Sequence, residues 1–154
     1  VDKDILKSYG ESTAYTAKGH FKAADLRRRF NLTLIAIIMT ISVLSISQLV
    51  KFALINQVLG ACSLLASIFL LIFEVHDGVN NHIKHKLFAE KYLELHYDIF
   101  HAFQDNNCSE DEITRLKNRM NKLNRTERPF ISSLARKAAK KAVVENQEMN
   151  VWWK

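Results

Sequence analysis

Hydrophobic residues dominate one uninterrupted stretch of the chain, residues 30–73, whose 44 positions include a single charged side chain, Lys51. The two halves of this stretch, residues 30–50 and 52–73, contain 21 and 22 residues. A helix rises about 1.5 Å per residue, so each half is long enough to cross the roughly 30 Å hydrocarbon core of a bilayer. The pattern predicts a transmembrane hairpin with two spans that turn at Lys51.

A buried helical hairpin in a soluble core is the alternative interpretation of the same stretch. A soluble helix has an apolar stripe and a charged or polar face, whereas the polar residues here, apart from Lys51, are only Ser, Thr, Asn and Gln. The exclusion of charge from two consecutive full-length windows favours the membrane. A soluble assembly, in which many hairpins bury their apolar faces against each other, is a third interpretation.

The segments outside this stretch have helical spacing and few turn residues. The chain contains one proline and four glycines, which gives β-structure little support. Residues 1–29 are predicted to form one or two short cytoplasmic helices, interrupted at Gly10 and Gly19. Residues 74–105 are predicted to extend the second span into the cytoplasm as a helix that ends near Asp105. The predicted fold is therefore all-α.

Two further helices are predicted in the basic C-terminal region, residues 109–154. Ser109 and Glu112 have the spacing of a capping box, which indicates that a helix starts there. Pro129 suits the first helical position and is expected to open the last helix. The apolar face of that helix is predicted to contain Phe130, Ile131, Leu134, Ala135, Ala138 and Ala142.

Composition limits the kinds of function that the chain can carry. About a third of its 154 residues belong to the apolar stretch, which leaves too little chain for a separate catalytic domain of ordinary size. The sequence has no Gly-rich phosphate loop, no nucleophile elbow and no Cys–His pairing at a useful spacing. We therefore expect a protein that is not an enzyme and that holds no cofactor.

The net charge of +6 matters mainly through its placement beside the apolar stretch. Arg27, Arg28 and Arg29 precede the first span, and Lys84 and Lys86 follow the second. Positive residues near the ends of spans are retained on the cytoplasmic side of a membrane. Both termini are therefore expected in the cytoplasm.

Polar and small residues recur at helical spacing within the apolar stretch. They are Thr33, Thr40 and Ser47 in the first span, and Asn56, Gly60, Ser63, Ser67 and Glu74 in the second. Stripes of this kind let transmembrane helices pack closely and form hydrogen bonds across the contact. The alternative is that the stripes of several copies line a shared polar path, with Glu74 as a charged ring at its mouth. One hairpin is too small to enclose a path, so a pore would require a homo-oligomer.

The last predicted helix carries a cluster of positive charge on the face opposite its apolar residues. The cluster consists of Arg136, Lys137, Lys140 and Lys141. Like charges four positions apart repel each other, so such a helix requires solvent or an anionic partner. The cluster is either simply solvated or binds anionic lipid headgroups, RNA, DNA or a nucleotide.

Two tryptophans, Trp152 and Trp153, stand near the end of the sequence. Tryptophan is enriched where membranes meet water, because its ring is apolar and its N–H is polar. We expect these side chains to anchor at the bilayer interface or to dock on a partner helix.

Histidines and cysteines are the remaining candidates for chemistry. The histidines after the second span are His76, His82, His85, His96 and His101. No second pair of closely spaced ligands completes a recognisable metal site, so we predict no metal and interpret these histidines as polar positions of a cytoplasmic helix. pH-sensitive helix contacts are an alternative role for them. Cys62 lies in the second span and Cys108 in the cytoplasmic part, so no disulfide is predicted.

The overall organisation resembles a known family. Ala17, His20, Ala24 and Leu26 precede a two-span hairpin with almost no loop, and Leu87, Ala89, Tyr92 and Leu93 lie on the following helix. Over about residues 5–105 this arrangement is similar to the SLATT domain, the two-transmembrane effector associated with SMODS and SLOG proteins. One variant group of that family is linked to reverse transcriptases. The basic tail from Arg115 lies outside the resemblance.

The resemblance implies an oligomeric effector of bacterial anti-phage defence in the inner membrane. Such proteins are thought to form pores on a signal from a nucleotide-synthesising, nucleotide-sensing or reverse-transcriptase partner. The alternative function is a membrane anchor or scaffold that makes no pore. It would recruit a nucleic-acid enzyme, such as a reverse transcriptase, through the basic C-terminal helices.

Overall fold

The computed structural model describes residues 3–46, 53–76, 81–105, 108–149 and 151–153. Regular structure within these ranges is entirely helical, which confirms the all-α prediction. The helices are α1 (Lys3–Ile46), α2 (Ala53–His76), α3 (Asn81–Gln104), α4 (Glu110–Arg125) and α5 (Ser133–Val144). They form two compact units: unit 1 comprises Val1–Asp25 and His82–Lys154, and unit 2 comprises Leu26–Asn81.

Helix α1 is continuous over 44 residues, so the prediction of one or two short N-terminal helices is wrong. Gly10 and Gly19 lie within the helix, where their missing side chains make room for neighbours. A Cβ atom on Gly10 would overlap the indole of Trp152, and one on Gly19 would lie 3.1 Å from Cδ1 of Ile131. Close packing, and not a break in the helix, is what these two glycines provide.

The boundary between α2 and α3 falls beside residues 77–80, which lie outside the described residues. Helix α2 ends at His76 and α3 begins at Asn81. The predicted continuation of the second span into the cytoplasmic helix therefore stays a prediction. Helix α3 ends at Gln104, directly before Asp105, which confirms the predicted end of that helix.

The two C-terminal helices begin at serine caps. Ser109 is the N-cap of α4, and its hydroxyl accepts a hydrogen bond from the backbone N–H of Glu112 at 3.2 Å, as the capping-box spacing predicts. The predicted start of α5 at Pro129 is wrong. The helix starts at Ser133, because the hydroxyl of Ser132 caps it by accepting from the N–H of Ala135 at 3.2 Å. A side-chain cap three residues further along thus prevails over the proline.

Helix α3 supplies the centre of unit 1. Its buried residues follow one face at helical spacing: His85, Phe88, Ala89, Tyr92, Leu95, His96, Ile99 and Ala102. Leu95 and Ile99 pack with Leu6 of α1 and Leu116 of α4 in one apolar cluster. Helix α5 is covered through Ala135, Ala139, Ala142 and Val143, whereas Phe130 and Leu134 of its predicted apolar face are 79% and 69% exposed.

Unit 2 has the opposite distribution of apolar side chains. None of its residues whose burial is described is buried. Leu54, Leu64, Leu65 and Leu71 of α2 are each more than 60% exposed. Within the described residues, one segment, Ala53–Ile72, is long and apolar enough to cross a membrane. The predicted first span ends in residues 47–50, which lie outside the described part of the chain, so the two-span hairpin stays a prediction.

Candidate functional site

Three positions of the predicted polar stripes of unit 2 point away from the rest of the described chain. Thr33 and Thr40 are exposed on α1, and their hydroxyls donate to the carbonyls of Arg29 and Ala36 in the same helix. Gly60 on α2 is exposed as well, and no atom of the described residues lies within 4 Å of an added Cβ. These three positions are therefore open to a neighbour outside the chain.

The contact between α1 and α2 uses a residue that the sequence analysis did not select. The hydroxyl of Ser63 lies 2.9 Å from that of Ser42, a hydrogen bond between the two helices. Ser67 is half-buried and donates to the carbonyl of Ser63, and Asn56 is also half-buried. Ser47 lies outside the described residues, as does the side chain of Glu74.

The predicted basic face of α5 is exposed at each of its four positions, Arg136, Lys137, Lys140 and Lys141. Lys141 lies 4.0 Å from Glu145, one turn further along the chain. Lys137 and Lys140 have no carboxylate partner among the described residues. Arg136 differs from the lysines because its guanidinium lies over the ring of Phe130, 5.6 Å from the centroid.

Trp152 and Trp153 both pack within unit 1, and their anchoring at a bilayer interface stays a prediction. Trp153 is 7% exposed. The Trp152 ring lies 4.9 Å from that of Phe103 and 5.4 Å from that of Phe100, measured between centroids. The Trp152 ring thus has aromatic neighbours on α3 within the chain. Docking on a partner helix likewise stays a prediction.

Ion pairs fasten the same C-terminal segment to α1. Lys18 and Lys22 contact the two carboxylate oxygens of Glu148 at 3.0 and 3.3 Å. Hydrogen bonds from Lys18, Asn146 and Lys22 lower the pKa of the Glu148 carboxyl to about 2. The segment that carries the tryptophans is therefore held on α1 by charge as well as by packing.

A buried histidine links three parts of unit 1. His96, 2% exposed, lies with Nδ1 3.0 Å from the carbonyl oxygen of Gly10, and the Trp152 indole N–H donates to its Nε2 at 3.3 Å. A carbonyl accepts and an indole N–H donates, so these partners assign the neutral ring with its proton on Nδ1. Burial lowers the pKa of His96, which agrees with this assignment. His96 thus joins α1, α3 and the C-terminal segment.

A second buried pair lies further along the same helices. Nδ1 of His20 on α1 is 2.9 Å from Nδ1 of His85 on α3, and His20 is fully buried. The His20 ring stacks on Tyr92 with centroids 6.0 Å apart and lies 5.7 Å from that of Phe88. Its Nε2 atom is buried and has no hydrogen-bond partner among the residues that the structure describes. The surroundings of His20 therefore favour a neutral ring.

The electrostatics of this pair follow from burial and from nearby positive charge. Desolvation, then the charge of His85, then that of Arg128 lower the pKa of His20 to about 4. Arg128 is held close by, since its Nη1 donates to the Tyr92 hydroxyl at 3.1 Å and to the Asn124 side-chain oxygen at 3.2 Å. Burial, His85 and Arg128 therefore each disfavour the protonated form of His20.

This polar interior of unit 1 differs from the interpretation of the histidines as ordinary polar positions of a helix. His85 and His96 both share the spacing of the buried residues on α3. That spacing, with Tyr92 between them, was the available signal. Among the residues that the structure describes, no group of three or more potential metal ligands occurs.

Comparisons with known proteins add no family assignment. No protein-family model, no curated protein and no solved structure matches the chain.

Proposed function

We propose that the chain is an oligomeric membrane effector, with residues 30–73 inserted as a two-span hairpin and unit 1 in the cytoplasm. The observation that carries the proposal is the surface of unit 2, where apolar side chains are exposed on both helices. Met39 and Val43 on α1, and Leu54 and Leu65 on α2, are each between 63% and 74% exposed. Exposed apolar side chains in this number require lipid or protein to cover them.

Unit 1 contains chain segments from both sides of unit 2, which supports two membrane crossings rather than one. Its parts, Val1–Asp25 and His82–Lys154, precede and follow unit 2 in the sequence and pack against each other. Residues in contact lie on the same side of a membrane, so the chain between them crosses an even number of times. A single crossing by Ala53–Ile72 would place α3 on the far side of the bilayer from the N-terminal half of α1.

The outward position of the small polar residues supports assembly of several hairpins. Thr33 and Thr40 border a groove of about 490 Å³ on α1, together with Leu32, Ala36 and Ile37. Their hydroxyls already donate hydrogen bonds to backbone carbonyls of the same helix. These two small polar side chains therefore need no further hydrogen-bond partner in an otherwise apolar groove. Small residues of this kind let transmembrane helices approach closely. In the proposed oligomer these residues and Gly60 lie at contacts between copies.

The biological role follows from the SLATT resemblance. In this role the assembly sits in a bacterial inner membrane with both termini in the cytoplasm and acts in anti-phage defence. A nucleotide-synthesising, nucleotide-sensing or reverse-transcriptase partner supplies the trigger. The trigger must bind the open arrangement better than the closed one, because a ligand with equal affinity for both shifts nothing.

Fractionation and vesicle leakage test this proposal. The wild-type protein is expected to stay with membranes through carbonate washing and, with partner and trigger present, to release a trapped dye from phosphatidylglycerol-containing vesicles. Thr40→Leu, which replaces a small polar side chain in the groove, is expected to reduce leakage several-fold. Met39→Leu is the matched control, since Met39 is exposed outside the lining of that groove. Recovery in a detergent-free supernatant would favour the soluble assembly, and a wild type that never leaks would refute the pore.

A membrane scaffold is the second candidate, and the exposed lysines of α5 favour it. Lys137 and Lys140 present charge with no carboxylate partner among the described residues, as a surface for an acidic partner would. Lys137→Glu with Lys140→Glu is expected to abolish recovery of a crosslinked partner enzyme from native cells while membrane permeability stays unchanged. Lys117→Glu, at an exposed position of α4, is the control. Unaltered recovery with the double variant would exclude this surface.

A further inference from the structure

A cavity of about 460 Å³ lies entirely within unit 1, where the connection between α4 and α5 passes over α1. Tyr15 and Gly19 of α1 line one side, and Arg128, Phe130 and Arg136 are among the residues of the other. The volume is within the range of roughly 300 to 1,000 Å³ that is usual for small-molecule sites. None of the mechanisms proposed above uses this cavity.

Two positive charges and no carboxylate line the cavity. Arg128 and Arg136 have no acidic partner among the described residues, although unit 1 pairs comparable cations elsewhere. Arg119 contacts both Glu94 and Asp98, and Lys18 contacts Glu148. The charge of the two cavity arginines is therefore left for an anion. A guanidinium recognises phosphate through parallel N–H donors, which makes arginine well suited to such a ligand.

Arg128 is positioned before any ligand arrives. Its Nη1 donates to the Tyr92 hydroxyl and to the Asn124 side-chain oxygen, and the Tyr92 hydroxyl itself donates to Asn124 at 2.8 Å. These bonds use one nitrogen of the guanidinium. They leave Nε and Nη2 as donors, so a bound anion would not have to order the side chain first.

An exposed aromatic ring stands beside these charges. Phe130 is 79% exposed, the highest exposure among the large apolar side chains described, and the guanidinium of Arg136 already lies over its ring. Tyr15 adds a second aromatic side chain, and Ile131 adds apolar surface. Aromatic side chains offer flat ligands a stacking surface.

We propose that this cavity binds an organic phosphate that carries a flat aromatic ring, with the phosphate held by Arg128 and Arg136 and the ring packed on Phe130. This proposal is independent of the proposed membrane activity, because a measurement of ligand binding tests it without any measurement of leakage. A lipid headgroup shares the phosphate but lacks the ring, and the experiment separates the two sources.

Titration calorimetry on the full chain in a neutral detergent tests the site. The probes are adenosine 5′-monophosphate, glycerol 3-phosphate, which stands for a lipid headgroup, and adenosine, which has the ring alone. Adenosine 5′-monophosphate is expected to bind, glycerol 3-phosphate to bind about ten-fold more weakly, and adenosine to bind weakest, because a charge-assisted contact is stronger than a neutral one. Glycerol 3-phosphate binding as tightly as adenosine 5′-monophosphate would overturn the proposal in favour of a lipid headgroup.

Matched variants distinguish phosphate binding in the cavity from nonspecific attraction to the positive charge of α5. Arg136→Gln is expected to weaken adenosine 5′-monophosphate at least ten-fold, whereas Lys140→Gln, the same loss of charge on the same helix but outside the cavity, is expected to leave it unchanged. Phe130→Leu is expected to remove the preference over glycerol 3-phosphate while keeping phosphate binding. Both side chains are exposed, so these variants should fold. Equal losses for Arg136→Gln and Lys140→Gln would overturn the site.

Discussion

Replacing Gly10 with alanine is expected to lower the free energy of unfolding of unit 1 by about 1 to 3 kcal/mol, the usual cost of overpacking a filled core. The added methyl group would overlap the Trp152 indole. Neither partner can retreat easily, because the Gly10 carbonyl accepts from His96 and the indole N–H donates to the same ring. Denaturant unfolding in detergent, followed by tryptophan fluorescence, measures the change, since both tryptophans belong to unit 1.

The other helical glycines provide a graded control. An added Cβ on Gly19 would lie 3.1 Å from Cδ1 and 3.4 Å from Cγ2 of Ile131, a looser fit than at Gly10, so we expect Gly19→Ala to cost less than Gly10→Ala. An added Cβ on Gly60 would meet nothing within 4 Å, so Gly60→Ala should leave the unfolding of unit 1 unchanged. Equal effects at all three positions would contradict the packing explanation and indicate a general effect of glycine on helix stability.

Acidification from pH 6.5 to 4 is expected to destabilise unit 1 through His20 by up to roughly 3 kcal/mol. In the folded protein burial, His85 and Arg128 lower the pKa of His20 to about 4 from an ordinary value of 6.5. Between these values the unfolded chain binds a proton that the folded chain does not, so stability falls as the pH falls. This contribution is constant above pH 6.5 and levels off below pH 4. His96, whose pKa is also lowered, acts in the same direction.

The pH profile of stability checks this expectation. Unfolding free energies measured at intervals from pH 8 to 4 should show a steeper decline for the wild type than for His20→Gln, which cannot gain the proton. His101→Gln removes an exposed histidine from the end of α3 and should keep the wild-type slope. The slope is the diagnostic quantity, so a uniform loss of stability in His20→Gln does not obscure it. A slope that survives in His20→Gln would show that other groups cause the acid sensitivity.

Local sequence signals predicted the fold wherever the deciding contact is local. The Ser109 cap forms over three residues, and α3 ends directly before the polar residue Asp105, so both could be predicted. The glycines of α1 could not, because what makes them compatible with a helix is Trp152 and Ile131, more than 100 residues away in the sequence. The start of α5 depended on a choice between Pro129 and Ser132, both of which are acceptable start signals.

The polar interior was harder to predict for the same reason. His20 and His85 are 65 residues apart, and His96 meets Gly10 across 86. The spacing of His85 and His96 on α3 matches that of the buried residues, but it gives no sign of which residue of another helix each ring contacts. The four residues of the basic face were predicted, but the different position of Arg136 was not. Arg136 lines a cavity with Arg128, whereas Lys137, Lys140 and Lys141 do not. Which residues line the cavity depends on the path of the connection between α4 and α5.

Unit 1 is assembled from two parts of the chain that are separated by the 56 residues of Leu26–Asn81. Closing a flexible loop of that length costs entropy that grows with the logarithm of its length. In the proposed hairpin, insertion of the two spans brings the ends of this loop to the same side of the bilayer before unit 1 forms. Helices α1 and α3 then start close to each other and need only a short diffusive search to pack. The membrane would thus serve as a folding template for the cytoplasmic part of the protein, in addition to being its site of action.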